Sequence, residues 1–168
     1  MNVRINTEVL ELFIYYWQAT ADREKVSDVF LSELAARKEL KVLFNAEFTS
    51  DSIRKVLSSI TNREILSVKT KTEGRFWNNN MWVLEDLGIT MGMMTPIKQL
   101  NGEQFESLVE KDLIINFIPG HLETFYWADN QLFINFFKLA TDFETGDVKI
   151  EGKSLEEFIK SVLQNKIN

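Results

Sequence analysis

The chain has 168 residues, of which 45% are apolar and 12% aromatic, with thirteen phenylalanines; that is enough for one sizeable core and too much for a disordered segment. It has no cysteine, which excludes a disulfide framework, a thiolate zinc site, an iron–sulfur cluster and a Cys nucleophile, and a single histidine, which excludes a multi-histidine metal site. The net charge is −6, yet residues 1–102 balance at 13 acidic and 13 basic side chains, while residues 103–147 carry 9 acidic against 2 basic.

The first helix is expected from Asn6 or Thr7, either of which can cap it, with Glu8 at its positive end. Val9, Leu10, Leu12, Phe13, Ile14, Tyr16 and Trp17 cover more than half its circumference, as in a helix packed on several sides. Asp22 is expected to cap a second helix from Arg23 to Arg37, and a short helix is expected around Leu40 to Phe44. Thr49 or Ser50 caps the next, in which Ile53, Val56, Leu57 and Ile60 recur at helical spacing and which Asn62 ends. Ile65 to Val68 reads as an extended link.

The central stretch, Arg75 to Asp86, holds two of the four tryptophans and three consecutive asparagines. Thr70 and Glu73 have capping-box spacing, and Gly88 fits the left-handed position beyond a helix end. Phe76, Trp77, Met81, Val83, Leu84 and Leu87 fall in one arc. Asn80 falls inside that arc and Trp82 points away from it. A buried amide needs partners, so Asn80 is either a structural amide or a polar anchor in a pocket. Trp82 either lies under another element or is an exposed aromatic of the kind that anchors interfaces.

Beyond Gly88 the period changes. Ile89 to Ile97 holds β-branched residues, methionines and Pro96, and reads as strand or loop. A short helix is expected over Glu103 to Glu110. Leu113 to Ile118 is a strand stopped by Pro119-Gly120. Thr124 to Ala128 and Leu132 to Phe137 are strands joined at Asp129-Asn130-Gln131, because Asp and Asn tolerate the positive φ of a tight hairpin. The second is apolar on both faces, so either helices cover both or one face meets a protein. After the turn at Glu144 to Asp147, Val148 to Ile150 is a short strand. Ser154 and Glu157 cap a last helix with the stripe Leu155, Phe158, Ile159, Val162 and Leu163. The expected fold is α+β over residues 1–168 as one domain: N-terminal helices packed on a C-terminal antiparallel sheet, a meander, with a final covering helix.

No phosphate loop, dinucleotide fingerprint, metalloprotease helix, nucleophile elbow or calcium loop occurs. The expectation is therefore no cofactor, no metal and no enzyme of those classes. His121, directly after a strand and turn, is the one candidate catalytic base, with Glu123 as partner; the plainer expectation is an exposed, idle side chain. Asn116 and Asn135 sit inside apolar strands, where they bond a ligand or satisfy backbone. Arg75 can fork onto a carboxylate or make a structural salt bridge.

Too few basic residues cluster for nucleic acid to be the expected ligand. Met1 to Asn6 lacks the basic-then-apolar pattern of a signal peptide, and no apolar run nears the roughly 18 residues of a membrane span, so a cytoplasmic protein is expected. The acidic segment fits a basic partner as well as plain solubility. The leading expectation is a non-enzymatic module that occludes a basic protein through Trp82, Glu123, Tyr126, Trp127 and Asp129. One concrete version is an immunity protein that neutralises a bacterial toxin such as a nuclease. The alternative is a small molecule, bound or weakly transformed, among Tyr16, Arg75, Trp77, Asn80 and His121, between helices and sheet.

Overall fold

The chain opens with a strand, β1 (Val3–Asn6), and enters α1 (Glu8–Ala21) at once in the computed structural model, which describes residues 1–167, with side chains to residue 166. Asn6 is buried at this junction, and its Oδ1 accepts from the Glu8 backbone N–H at 3.1 Å. At its other end α1 stops at Arg23, which has φ 59°. The Glu24 N–H returns to the Ala19 carbonyl at 2.8 Å and that of Arg23 to Thr20 at 3.1 Å, the paired bonds of a Schellman stop. Asp22 therefore ends α1 rather than capping the next helix. That helix, α2 (Asp28–Ala35), starts later than expected, at Ser27, whose hydroxyl accepts from the Phe30 N–H at 3.1 Å.

A 3₁₀ segment, Lys38–Leu43, leads to α3 (Ser50–Thr61) and α4 (Lys71–Glu85). The capping box of α4 is complete: the Thr70 N–H donates to Glu73 Oε1 at 2.8 Å, and the Glu73 N–H to Thr70 Oγ1 at 3.1 Å. Gly88 does not end this helix. Asp86 does so, and the same residue caps α5 (Leu87–Gln99) by accepting from the Ile89 N–H at 3.1 Å. The segment 89–97, read from sequence as strand or loop, is thus helix. Thr90, Met93, Met94 and Ile97 form its buried stripe at the i, i+3, i+4, i+7 spacing of a helix.

A second 3₁₀ segment, Gly102–Leu108, precedes β2 (Leu113–Ile118), β3 (Phe125–Ala128) and β4 (Gln131–Asn135). Then come β5 (Leu139–Thr141), β6 (Val148–Ile150), β7 (Lys153–Ser154) and α6 (Leu155–Ile167). The class is α+β: after β1 the helices α1 to α5 fill the N-terminal part, β5, β6 and β7 form an antiparallel sheet in the C-terminal part, and α6 follows them. The larger sheet has the order β1-β2-β4-β3, with β1 and β4 parallel to β2 and β3 antiparallel to β4. Strand β3 runs along the outside and turns back, so β4 inserts between it and β2. Asp129 and Asn130, at φ 52° and 60°, form the two-residue turn that the sequence predicts.

Both faces of this sheet are covered, which accounts for its doubly apolar strands. Phe158 of α6 packs on Phe125, ring centroids 5.9 Å apart, and Lys166 lies 3.6 Å from the centroid of Trp127. On the opposite face the first 3₁₀ segment brings Glu39 to Asn6 and Leu43 to His121. In the core, Phe13, Trp17, Leu57, Phe133 and Phe158 are buried, while Trp77 and Phe137 are only partly so. Phe13, Trp17, Phe76 and Phe136 stack or meet edge-on at its centre.

Candidate functional site

The sheet ends on its outer side at β3, and four of the five residues predicted to meet a partner gather there. Tyr126 and Trp127 lie within the strand, Glu123 just before it, and Asp129 in the turn after it. Trp82 sits elsewhere, on α4, and is 47% exposed. Leu122 at 49% and Phe125 at 37% add two exposed apolar side chains that the sequence reading did not select. Phe125 could have been found from the alternation of β3, which sends it with Trp127 and separates both from Tyr126, whereas Leu122 lies in the loop before the strand and carries no such signal. Neither Glu123 nor Asp129 forms an ion pair among the described residues, so both carboxylates are free to meet an incoming charge.

Two grooves flank this strand. One, of about 550 Å³, lies between Phe125 and Trp127 and the α6 side chains Phe158 and Val162, with Lys153, Lys166 and Glu151 at its rim. The other, of about 560 Å³, lies on the Tyr126 side, between the first 3₁₀ segment and the start of α4. Val42, Phe44 and Tyr126 supply its apolar wall, and Lys71, Arg75, Glu47 and Glu123 its charges. Arg75 makes no salt bridge among the described residues, contrary to the structural pairing weighed from sequence. Burial pushes the Tyr126 phenol above its ordinary value, so it stays neutral near pH 7.

The loop that leads into β3 is held rigidly by side-chain amides. Asn135, fully buried, accepts from the Gly120 N–H at 2.9 Å and from the Phe137 N–H at 3.0 Å, and donates to the Glu123 carbonyl at 3.0 Å. A side chain at position 120 could not fit, because its Cβ would lie 2.9 Å from the Asn135 amide carbon. From α4, Asn79 donates to the carbonyls of Gly120 and His121, each at 3.2 Å. Asn135 thus satisfies backbone rather than a ligand, and Asn79 is a second pin on the same loop.

His121 is buried, not the exposed side chain expected of a lone loop histidine. Its Nδ1 accepts from the Leu122 N–H at 2.9 Å, which places the ring proton on Nε2, donating to the Leu43 carbonyl at 2.9 Å. The ring also meets Phe48 edge-on at 4.9 Å between centroids. Both nitrogens are engaged, and Glu123 does not bond to either. The imidazole fastens the loop to the 3₁₀ segment and has no free nitrogen with which to act as a base.

The residues of the small-molecule alternative are dispersed. Tyr16 donates to the Leu57 carbonyl at 2.6 Å, and burial raises its phenol further still. Asn80 accepts from Trp17 Nε1 at 2.9 Å and donates to the Phe76 carbonyl at 2.8 Å, the structural amide of the plainer reading. Trp77 lines a separate groove of about 400 Å³ with Met81 and Ile60. Only Arg75 and His121 share one, beside β3.

A further polar network crosses the sheet. Asn6 donates to Asn116 Oδ1 at 2.8 Å, and Asn116 to Gln131 Oε1 at 3.0 Å, joining β1, β2 and β4. Asn6 also reaches Glu39 Oε2 at 3.4 Å, and Arg37 bridges Glu39 at 3.1 Å and Glu8 at 2.9 Å. Burial opposes the charge on Glu39, but its own backbone N–H, Arg37 and Asn6 together outweigh it and hold the carboxyl below the ordinary range. Asn116 is therefore spent inside the fold.

Among the described residues, no group of three or more His, Asp or Glu side chains is placed to hold a metal ion, and no helix is long and apolar enough to cross a membrane. Comparison with protein-family models, with curated proteins and with solved structures finds no match to this chain. The class is fixed by the fold, an α+β protein with Phe125, Tyr126 and Trp127 on one edge strand of its larger sheet and Glu123 and Asp129 beside it.

Proposed function

We propose that this chain is a non-enzymatic binding protein that occludes a basic protein partner, docking it along β3. The observation that carries the reading is the convergence on one outer strand of Phe125, Tyr126 and Trp127, with Leu122 in the loop before it and, at its two ends, the carboxylates of Glu123 and Asp129, which form no ion pair among the described residues. The acidic ends speed encounter with a basic surface, and the aromatic strip supplies the desolvated centre where binding energy concentrates. The engagement of both His121 nitrogens supports binding rather than acid–base chemistry at the adjoining groove. A cytoplasmic immunity protein that covers the active surface of a basic toxin, such as a nuclease, is the concrete form of this function.

The test is affinity capture from the native host at low and then high salt. The double variant Glu123→Lys, Asp129→Asn serves as control. Asn is chosen at 129 because the site has φ 52°, which Asn adopts readily. The expected result is a basic protein that is retained at low salt, released at high salt and lost from the variant. Retention that ignores both salt and charge reversal refutes the reading. So does a small molecule co-purifying in the Arg75–Tyr126 groove with no protein retained.

A further inference from the structure

We infer that the partner is bound by strand addition: an extended segment pairs with the open edge of β3 and extends the larger sheet. This rests on the protein-binding reading above and specifies its mode. The Asn135 N–H donates to the Thr124 carbonyl at 2.9 Å, which makes these two a hydrogen-bonded pair of the β3–β4 ladder. Such pairs alternate along an antiparallel ladder. With the register Tyr126 to Phe133 and Ala128 to Gln131, the next pairs fall at those residues. The N–H and C=O groups of Phe125 and Trp127 therefore point away from the sheet. Among the described residues, no backbone or side-chain group outside the sheet bonds to them.

An added strand would find both of its faces provided for. Its residues alternate in direction, so one set enters the groove of Phe125, Trp127 and Phe158, and the other the groove of Tyr126, Val42 and Phe44. Main-chain bonds then supply affinity, and the two grooves select side chains. The segment that fits is four to six residues long on the order of the strand it joins, apolar at successive positions, with Lys or Arg at its ends to meet Glu123 and Asp129. A second copy of this chain fits poorly. Two β3 strands paired through Phe125 and Trp127 about a twofold axis would set Glu123 opposite Asp129, like charge against like.

The experiment uses the whole protein and a display library of random eight-residue peptides. The strongest binder is synthesised and added to labelled protein, and amide hydrogen exchange is followed residue by residue. The expected result is a run of successive apolar residues with terminal Lys or Arg in the enriched set, and at least a tenfold slowing of exchange at Phe125 and Trp127. Tyr126 and Ala128, already paired with β4, should change little. A companion pair separates backbone from ring: Phe125→Ala removes the side chain, and Phe125→Pro removes the outward N–H as well. Proline is expected to weaken the peptide at least tenfold more than alanine, with the near-ultraviolet spectrum unchanged. Binding without protection of Phe125 and Trp127 overturns strand addition while leaving the acidic docking surface intact. Failure to enrich any peptide, or a dimer that protects the same two amides, overturns it as well. Protection of both amides by peptides with no basic residue, unaffected at Glu123→Lys, instead retains the mode and removes the basic partner.

Discussion

The two edges of the larger sheet are treated in opposite ways. At β1, the outward-facing carbonyl of Val3 lies against Gly102, so close that a Cβ there would sit 1.8 Å from the oxygen. The 3₁₀ segment Gly102–Leu108 thus seals this edge, and only glycine allows it to come so near. At β3, among the described residues, no hydrogen bond from outside the sheet reaches the outward main chain of Phe125 and Trp127, and large apolar side chains stand beside it. An open edge is a hazard that proteins ordinarily cover or charge. One edge of the sheet is thus sealed and the other left open between two grooves, and the proposed docking along β3 rests on that contrast.

The contrast is broken most sharply at the sealed edge. Gly102→Ala must push the 3₁₀ segment off Val3 or distort β1, and is expected to cost about 3 kcal/mol. For a chain of this size that is a fall of about 6–12 °C in Tm, read by thermal unfolding. An unchanged Tm would mean that the segment does not seal the edge. Asn135→Ala should rank next. It leaves the buried Gly120 and Phe137 N–H groups and the Glu123 carbonyl without partners, for an expected loss of about 2–3 kcal/mol by chemical denaturation. It should also loosen the loop before β3, so partner binding should weaken by more than stability alone explains.

Much of the architecture is legible in the sequence because it is local. The stripe and cap of α6, the i, i+3, i+4, i+7 period of α3, the capping box of α4 and the Asp129-Asn130 turn each need only a few neighbouring residues. The Ser154 hydroxyl accepts from the Glu157 N–H at 3.2 Å, as its spacing predicts. Strand β1 was invisible for the opposite reason: four residues carry little signal, and the partner of Val3 is Leu113, far along the chain. Helix α5 is hard to see in the sequence because methionine and β-branched residues mask the helical period that Thr90, Met93, Met94 and Ile97 keep. Residues of the β3 surface were picked out singly as aromatics and acids. That Arg75 joins them beside the strand, and that Tyr16, Asn80 and Asn116 do not, depends on contacts between distant segments. His121 shows the limit most clearly, since its role is set by the Leu43 carbonyl and the Leu122 N–H, not by its turn.

Acid provides a milder test of the sealed side. Glu39 and Glu73 are both buried against the charge they carry, yet both are held below the ordinary carboxylate value of 4.5, Glu39 by its own N–H, Arg37 and Asn6, Glu73 by Ser52, Thr70 and Lys55. A carboxyl depressed in the folded state binds fewer protons there than in the unfolded chain. Its contribution is complete above the unfolded value and is lost as pH falls through the folded one. Stability is therefore expected to decline below about pH 4.5, steeply in the native chain and less steeply in Glu39→Gln, which should start from a lower value at pH 7. Denaturant midpoints from pH 7 to pH 3 measure this. Equal pH dependence in the two proteins would show that the Asn6–Glu39–Arg37 network does not brace β1 against the sheet.

The smallest effect on stability belongs to the open edge, and there its smallness is the informative result. Glu123 and Asp129 form no ion pair among the described residues, and their side chains hold no backbone group in place. Surface changes of this kind shift stability by about 0.5 kcal/mol or less. Glu123→Lys with Asp129→Asn should therefore unfold within about 2 °C of the native chain. The same double change replaces two negative charges by one positive charge at the ends of β3, so association with a basic partner should slow markedly at low salt and lose most of its salt dependence. Stopped-flow association at two ionic strengths reads that directly. One methyl group at Gly102 should thus cost more folding stability than two charge changes beside β3, while the charge changes should cost more binding. If the double variant instead unfolds early, or binds at the native rate, then the open edge is part of the scaffold like the sealed one, and the partner meets some other surface.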